Sequence, residues 1–170
     1  MDRFCDESLY QNPDCRLTNS SGAYGTTISE HLIMVCLMLL RRQMEYTEII
    51  RAGGWETLSG GIRSLHGARI TVLGTGDIGT EFARRAQAFH PACITGVRRT
   101  VRSSDPAFTS IHAIAELDSV LPETDLLVLA LPSTAETAGI LSRERIALLP
   151  DSAFVVNVGR GTAIDQEALC

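Results

Sequence analysis

The feature that most limits how this chain can fold is a short apolar run ending in three spaced glycines. Arg69-Ile70-Thr71-Val72-Leu73 reads as a β-strand, and Gly74-Thr75-Gly76-Asp77-Ile78-Gly79 follows it directly. A helical stretch from Glu81 to His90 comes next and is stopped by Pro91. The chain then keeps alternating. Cys93-Ile94-Thr95-Gly96-Val97 reads as a second strand, Ser110 to Leu121 as a helix, Leu126 to Leu131 as a buried strand, Ser142 to Leu149 as a helix and Phe154 to Val158 as a strand. Near-continuous apolar strands alternating with helices imply a parallel sheet covered on both faces, the doubly wound α/β class.

Ahead of the first strand the pattern differs. Residues 1–25 are polar and turn-rich, an irregular lead-in, and residues 26–170 form the expected folded domain. From Thr26 to Arg51 the spacing is helical, with Thr27 or Ser29 as cap and Gly53-Gly54 as the stop. Ile28, Leu32, Val35 and Leu39 lie along one face, with Ile33, Cys36 and Leu40 beside them. A helix apolar over more than half its girth is expected to be buried on both sides.

Composition narrows the chemistry. The formal charge is −5, which argues against nucleic-acid or membrane-surface partners that need a basic excess. All 15 basic residues are arginine, so these residues offer no Schiff-base lysine and no P-loop lysine. Five cysteines without Cys-x-x-Cys spacing suggest idle thiols in a reducing compartment, and no zinc ligand set is visible. No apolar run follows Met1, and the longest such stretch, Leu32 to Leu40, is too short to cross a bilayer. A cytoplasmic protein is expected.

The glycine pattern gains its meaning from its position between a strand and a helix. Gly74 permits the tight turn, Gly76 lets a pyrophosphate approach the backbone, and Gly79 lets helix and strand pack closely. Free N–H groups at the helix start, at Asp77 and Ile78, supply the anion site. A site for NAD usually carries an acid at the end of the second strand, about 20 residues on, to accept the ribose 2′-hydroxyl. Here Arg98 and Arg99 stand there, with Arg102 three residues later. A guanidinium fork suits the 2′-phosphate of NADP instead, so NADP is expected and NAD remains possible. The competing reading is a solvated arginine loop.

Three further segments carry a family resemblance. Asn19 to His31, Leu131-Pro132-Ser133-Thr134-Ala135-Glu136-Thr137-Ala138-Gly139, and Asn157-Val158-Gly159-Arg160-Gly161 with the residues to Leu169 resemble signatures of the D-isomer-specific 2-hydroxyacid dehydrogenases. The resemblance covers nearly the whole chain. It implies a Rossmann-type NAD(P)-binding domain with an N-terminal crossover helix. It also implies hydride transfer between NADPH and a small 2-oxoacid or D-2-hydroxyacid, typically hydroxypyruvate or glyoxylate.

Residue by residue, Arg160 matches the family's substrate arginine, whose fork grips a carboxylate and polarises the neighbouring carbonyl. Its plainer reading is a loop arginine paired with Asp165. Val158 and Gly159 would lie along the nicotinamide end, Leu131 and Pro132 would border the adenosine half, and Thr137 would make a polar contact. On chemistry alone, Pro132 and Thr137 also read as a strand stop and a helix cap. Asp77 stands where many members carry arginine beside the pyrophosphate.

Members complete catalysis with a glutamate and a histidine downstream of the Arg-Gly segment. His31, His66, His90 and His112 do not take that place. The resemblance therefore implies a fragment cut at both ends, binding NADPH weakly alone and turning over nothing. It also implies a homodimer through the 26–51 helix, unless that face packs on a preceding substrate domain. The alternative function is a non-catalytic NAD(P)-sensing, corepressor-like dimerisation module. An S-adenosylmethionine site is disfavoured by Arg98, where an acid normally holds the ribose hydroxyls.

Overall fold

The computed structural model describes residues 12, 14, 16, 18, 20, 22–101 and 105–169. The expectations for Cys5, Cys15, Arg102 and Cys170, and for most of the 1–25 lead-in, lie outside the described residues. Five strands, β1 (Arg69–Leu73), β2 (Cys93–Arg98), β3 (Ser110–Ala113), β4 (Leu126–Leu129) and β5 (Phe154–Asn157), form one parallel sheet in the order β3-β2-β1-β4-β5. The chain steps outward from β1 to β3, then returns to the other side of β1 for β4. That reversal opens a crevice at the carboxyl ends of β1 and β4, the position where doubly wound sheets bind ligands.

Alternation along the central strands divides the core in two. Ile70 and Val72 of β1, with Leu126 and Val128 of β4, pack with α1 (Gly25–Leu40) and α3 (Asp77–Ala86) through Leu32, Cys36, Phe82 and Ala83. Leu73, Leu127 and Leu129 point to the opposite face, against Leu117, Leu121, Ile140 and Leu141. Both faces of β1 and β4 are therefore dry. Thr71 is the polar exception, and its hydroxyl is satisfied by the Thr124 hydroxyl at 2.7 Å.

The expected single helix over 26–51 is two. α1 ends at Leu40, and α2 (Gln43–Arg51) starts after Arg42, which sits in the left-handed region at φ 53°. The Arg42 side chain holds that conformation by binding the Glu45 carboxylate and the Ser59 carbonyl. Neither Thr27 nor Ser29 caps α1, because Ser29 lies inside the helix and donates to the Thr26 carbonyl at 2.8 Å. The buried stripe is Gly25, Ser29, Leu32, Cys36 and Leu40, and it packs along α3. The other side is open, with Met34 47% and Leu39 40% exposed. The stop at Gly53-Gly54 is as read. Gly53 has φ 72°, its N–H reaches the Ile50 carbonyl and the Gly54 N–H reaches Ile49, which is a Schellman closure.

The segment Ser110 to Leu121 is also corrected. Its first four residues are strand β3, and only Leu117–Val120 is α-helical (α4). Thr109 begins the pairing with β2: its N–H donates to the Ile94 carbonyl at 2.8 Å and its hydroxyl accepts from the Ile94 N–H at 3.0 Å. The helical turn starts after Ala113, whose N–H is taken by the Glu116 carboxylate at 2.8 Å. The helix read over 142–149 is the short α5 (Arg143–Ile146), and α6 (Gln166–Leu169) ends the described chain. Among the described residues no helix is long and apolar enough to cross a membrane.

Candidate cofactor site

In a parallel sheet all the strand ends that follow the same direction share one edge. The turns after β1, β2, β4 and β5 therefore meet at the carboxyl side of the sheet, and the expected site residues belong to these turns.

The turn after β1 is built around its glycines for two different reasons. Gly74 has φ 100°, and a side chain there would also come within 2.6 Å of the Ala130 carbonyl. At Gly79 a Cβ would collide with the Gly74 carbonyl, so α3 can leave β1 only because Gly79 has none. Gly76 is different. Its φ of −82° is open to any residue, and among the described residues nothing beyond its chain neighbours lies within 4 Å of where its Cβ would be. Neither backbone strain nor packing requires glycine there; a ligand lying close to the backbone would.

The N–H groups of Asp77, Ile78 and Gly79 open α3 and have no carbonyl one turn back to receive them. Beside them the Thr75 hydroxyl is buried without a hydrogen-bond partner among the described residues. The Asp77 carboxylate turns away from this loop. It accepts the Gly22 N–H at 3.2 Å and lies against Gly25 at the start of α1. The acid where the resemblance leads one to look for arginine therefore ties α3 to the lead-in, and its backbone N–H stays at the open start of α3.

A cleft of about 450 Å³ opens from the loop, lined by Gly74, Thr75, Gly76, Arg98, Arg99, Thr100, Ile114, Leu131, Pro132, Thr134, Glu136 and Thr137. Arg98 ends β2 half-buried, and Arg99 is exposed. Neither makes an ion pair among the described residues. Across the cleft no helix follows Pro132, so Thr137 caps nothing. Its buried hydroxyl instead accepts the Thr134 N–H at 2.9 Å and donates to the Pro132 carbonyl at 2.6 Å, locking the loop after β4. Glu136 projects from that loop. A hydrogen bond from the Thr134 side chain, its own backbone N–H and the Arg99 guanidinium hold its carboxyl below the usual range.

Arg160 follows β5 on a braced turn. The Asn157 side chain accepts the Gly159 N–H at 2.8 Å and donates to the Arg160 carbonyl at 3.1 Å. Gly159 runs against the loop after β4, where a Cβ would lie 2.6 Å from the Leu131 carbonyl. The exposed Arg160 guanidinium forms no ion pair with Asp165, whose carboxylate takes the Ala168 N–H of α6.

The family model for the D-isomer specific 2-hydroxyacid dehydrogenase NAD binding domain matches residues 33–170. The chain belongs to that family. It is 34% identical over 150 residues to glyoxylate/hydroxypyruvate reductase B of Pectobacterium atrosepticum, which takes in 84% of this chain and 45% of that one. The chain thus spans about half the length of the curated relatives it matches, 45% of that reductase and 52% of its Yersinia pestis counterpart. Among solved structures, the NADPH-dependent glyoxylate/hydroxypyruvate reductase of Sinorhizobium meliloti matches with a TM-score of 0.73 at 28% identity, over 86% of this chain and 74% of that one. A D-isomer specific 2-hydroxyacid dehydrogenase of Xanthobacter autotrophicus, solved with NADPH and MES, matches with a TM-score of 0.77 at 28% identity, over 95% and 66%.

For this dehydrogenase domain, the cleft gathers Gly74, Gly76, Arg98, Arg99, Leu131, Pro132 and Thr137 from the residues singled out in sequence. Asp77, Ile78, Gly79, Val158, Gly159 and Arg160 lie beside it: the first three open α3, with Ile78 packed on the core, and the last three form the turn after β5. Sequence reasoning missed Ile114, hidden by the helix read over 110–121, and gave no role to Thr75, Thr134 or Glu136. The Pro-x-Thr-x-x-Thr spacing of the loop contained the signal, since a Thr137 hydroxyl that bonds both the Pro132 carbonyl and the Thr134 N–H must present the residues between them.

Proposed function

We propose that this chain is the dinucleotide-binding half of a reductase that passes hydride between NADPH and a small 2-oxoacid of the hydroxypyruvate or glyoxylate type. The observation that carries the reading is the arginine pair at the end of β2, in the same cleft as Gly74 and Gly76. The bound nicotinamide supplies the hydride. The backbone of Gly76 and the first N–H groups of α3 suit a diphosphate, and Arg98 and Arg99 suit a 2′-phosphate that a lone hydroxyl would not need. The Sinorhizobium enzyme is described as NADPH-dependent and the Xanthobacter protein was solved with NADPH, which is in keeping with this choice.

Arg160 stands on the same edge with its fork exposed, fit to take a carboxylate through two hydrogen bonds and draw electron density from an adjacent carbonyl. None of the four histidines lines the cleft. His66 and His90 meet edge-on with ring centroids 6.5 Å apart, near the loop that leads into β1, and His112 reaches Glu116. The 170-residue chain is therefore expected to bind NADPH without oxidising it, and steady turnover with glyoxylate would contradict the assignment. The open face of α1, with Met34 and Leu39, is assigned to a second copy of the chain; sedimentation of a Leu39→Glu variant as monomer against a wild-type dimer tests that. Unpaired thiols at Cys36 and Cys93 suit a reducing, cytoplasmic setting.

The deciding experiment titrates NADPH and NADH into the chain and into Arg98→Asp. The substitution should weaken NADPH by roughly ten- to a hundredfold, the reach of one charge-assisted contact, and change NADH by about twofold at most. An unchanged NADPH/NADH ratio rejects the phosphate reading.

A further inference from the structure

We propose that Glu136 sets how strongly the cleft prefers the phosphorylated cofactor, by holding a negative charge across from Arg99 at the adenosine end. The inference rests on the reading of the cleft as an NADP(H) site and adds to it a residue that lowers the preference.

Three observations lead there. Among the described residues, the charged ones lining the cleft are two guanidinium groups and one carboxylate, Arg98, Arg99 and Glu136. An arriving phosphate thus meets a net charge of one, where the arginines alone would offer two. The carboxylate also comes from the opposite wall: Arg98 ends β2 and Arg99 follows it, while Glu136 sits on the loop after β4. It is therefore not the acid that NAD sites place at the end of the second strand. Finally, the loop cannot easily carry it away. Thr137, next in sequence, is buried and hydrogen-bonded to both the Thr134 N–H and the Pro132 carbonyl.

The ionisation state fits. Thr134, the Glu136 N–H and Arg99 hold this carboxyl below the ordinary range, so at neutral pH it is charged when the cofactor arrives. A phosphate entering the cleft then meets the field of the Glu136 carboxylate together with that of Arg99, and an uncharged 2′-hydroxyl is little affected by either. The diphosphate contacts near Gly76 are common to both cofactors and cancel when their affinities are compared.

The test measures NADPH and NADH binding to the 170-residue chain and its variants by NMR chemical-shift titration, which reads weak affinities. Glu136→Gln should tighten NADPH by roughly two- to fivefold, the scale of one exposed charge pair, and leave NADH within about 1.5-fold. The gain should shrink in 0.5 M salt, as expected for exposed charges (the Debye length is about 3 Å at 1 M). Glu136→Asp keeps the charge and should keep the wild-type ratio, which a role in packing or loop shape would not do.

An unchanged NADPH/NADH ratio in Glu136→Gln overturns the inference. So does an equal change for both cofactors, or a loss of NADH affinity, which would make the carboxylate a direct ribose partner. If Arg98→Asp shifts the ratio and Glu136→Gln does not, only this inference fails. If neither nucleotide moves the resonances of Gly76 and Arg98, the NADP(H) reading of the cleft fails with it.

Discussion

Arginines at the two ends of the sheet are used in opposite ways. At the amino end Arg69 is fully engaged. Its guanidinium reaches Asp125 at 3.0 and 3.2 Å and Glu123 at 2.8 Å, and its backbone N–H donates to Asp125 at 2.8 Å. The Asp125 N–H returns a bond to the Arg69 carbonyl at 2.9 Å, so the starts of β1 and β4 are clamped together. At the carboxyl end Arg98, Arg99 and Arg160 have no carboxylate within ion-pair distance among the described residues. The contrast teaches that residue type alone does not assign a role. What separates the two sets is whether the fold has already provided an anion.

The comparison predicts a graded series of effects. The largest belongs to the glycine loop. Gly79→Ala should cost about 3 kcal/mol or more, since a methyl there meets a backbone carbonyl that cannot yield. Gly76→Ala should change stability by less than about 0.5 kcal/mol, because its Cβ would face open space, yet it should weaken nucleotide binding. Chemical denaturation beside a binding titration separates the two, and equal destabilisation by both would remove the distinction.

Next comes the closed end. Asp125→Asn should cost about 1 kcal/mol, a charged hydrogen bond reduced by the partial exposure of Arg69, with nucleotide binding unchanged. Arg69 holds the Asp125 carboxyl below its ordinary range. The folded state thus binds this proton less readily than the unfolded chain. The contribution is full above the unfolded carboxylate value, about 3.9, and is lost as pH falls through the lower folded value. Denaturation midpoints between pH 6 and pH 3 should therefore fall less steeply in Asp125→Asn than in wild type. The smallest effect is the one expected at the open end: Arg98→Asp should move stability by less than about 0.5 kcal/mol while changing cofactor choice. A large loss of stability there would mean that Arg98, too, is structural.

Much of this arrangement is legible in the residues. The first strand is bounded correctly because an apolar run meets Gly74, and the glycine turn follows from spacing within that strand–helix frame. The break at Arg42 is not legible, since consecutive arginines suit a helix and the left-handed turn is held by a contact with Ser59, far along the chain. Strand β3 is missed because Ser110-Ile111-His112-Ala113 is short, at the sheet edge, and equally compatible with a helical period. The direction of the Asp77 side chain depends on where α1 begins, which no local pattern states. A role for Glu136 is not legible from its own segment, because the arginine across the cleft, Arg99, comes from the turn after β2.

Asn157 is the last residue of β5, and its side chain holds both sides of the turn that carries Arg160. The backbone that carries the guanidinium is therefore fastened to the end of a sheet strand. A substrate gripped there would inherit the stillness of the sheet, so its distance from a neighbouring nucleotide would be fixed before either arrives.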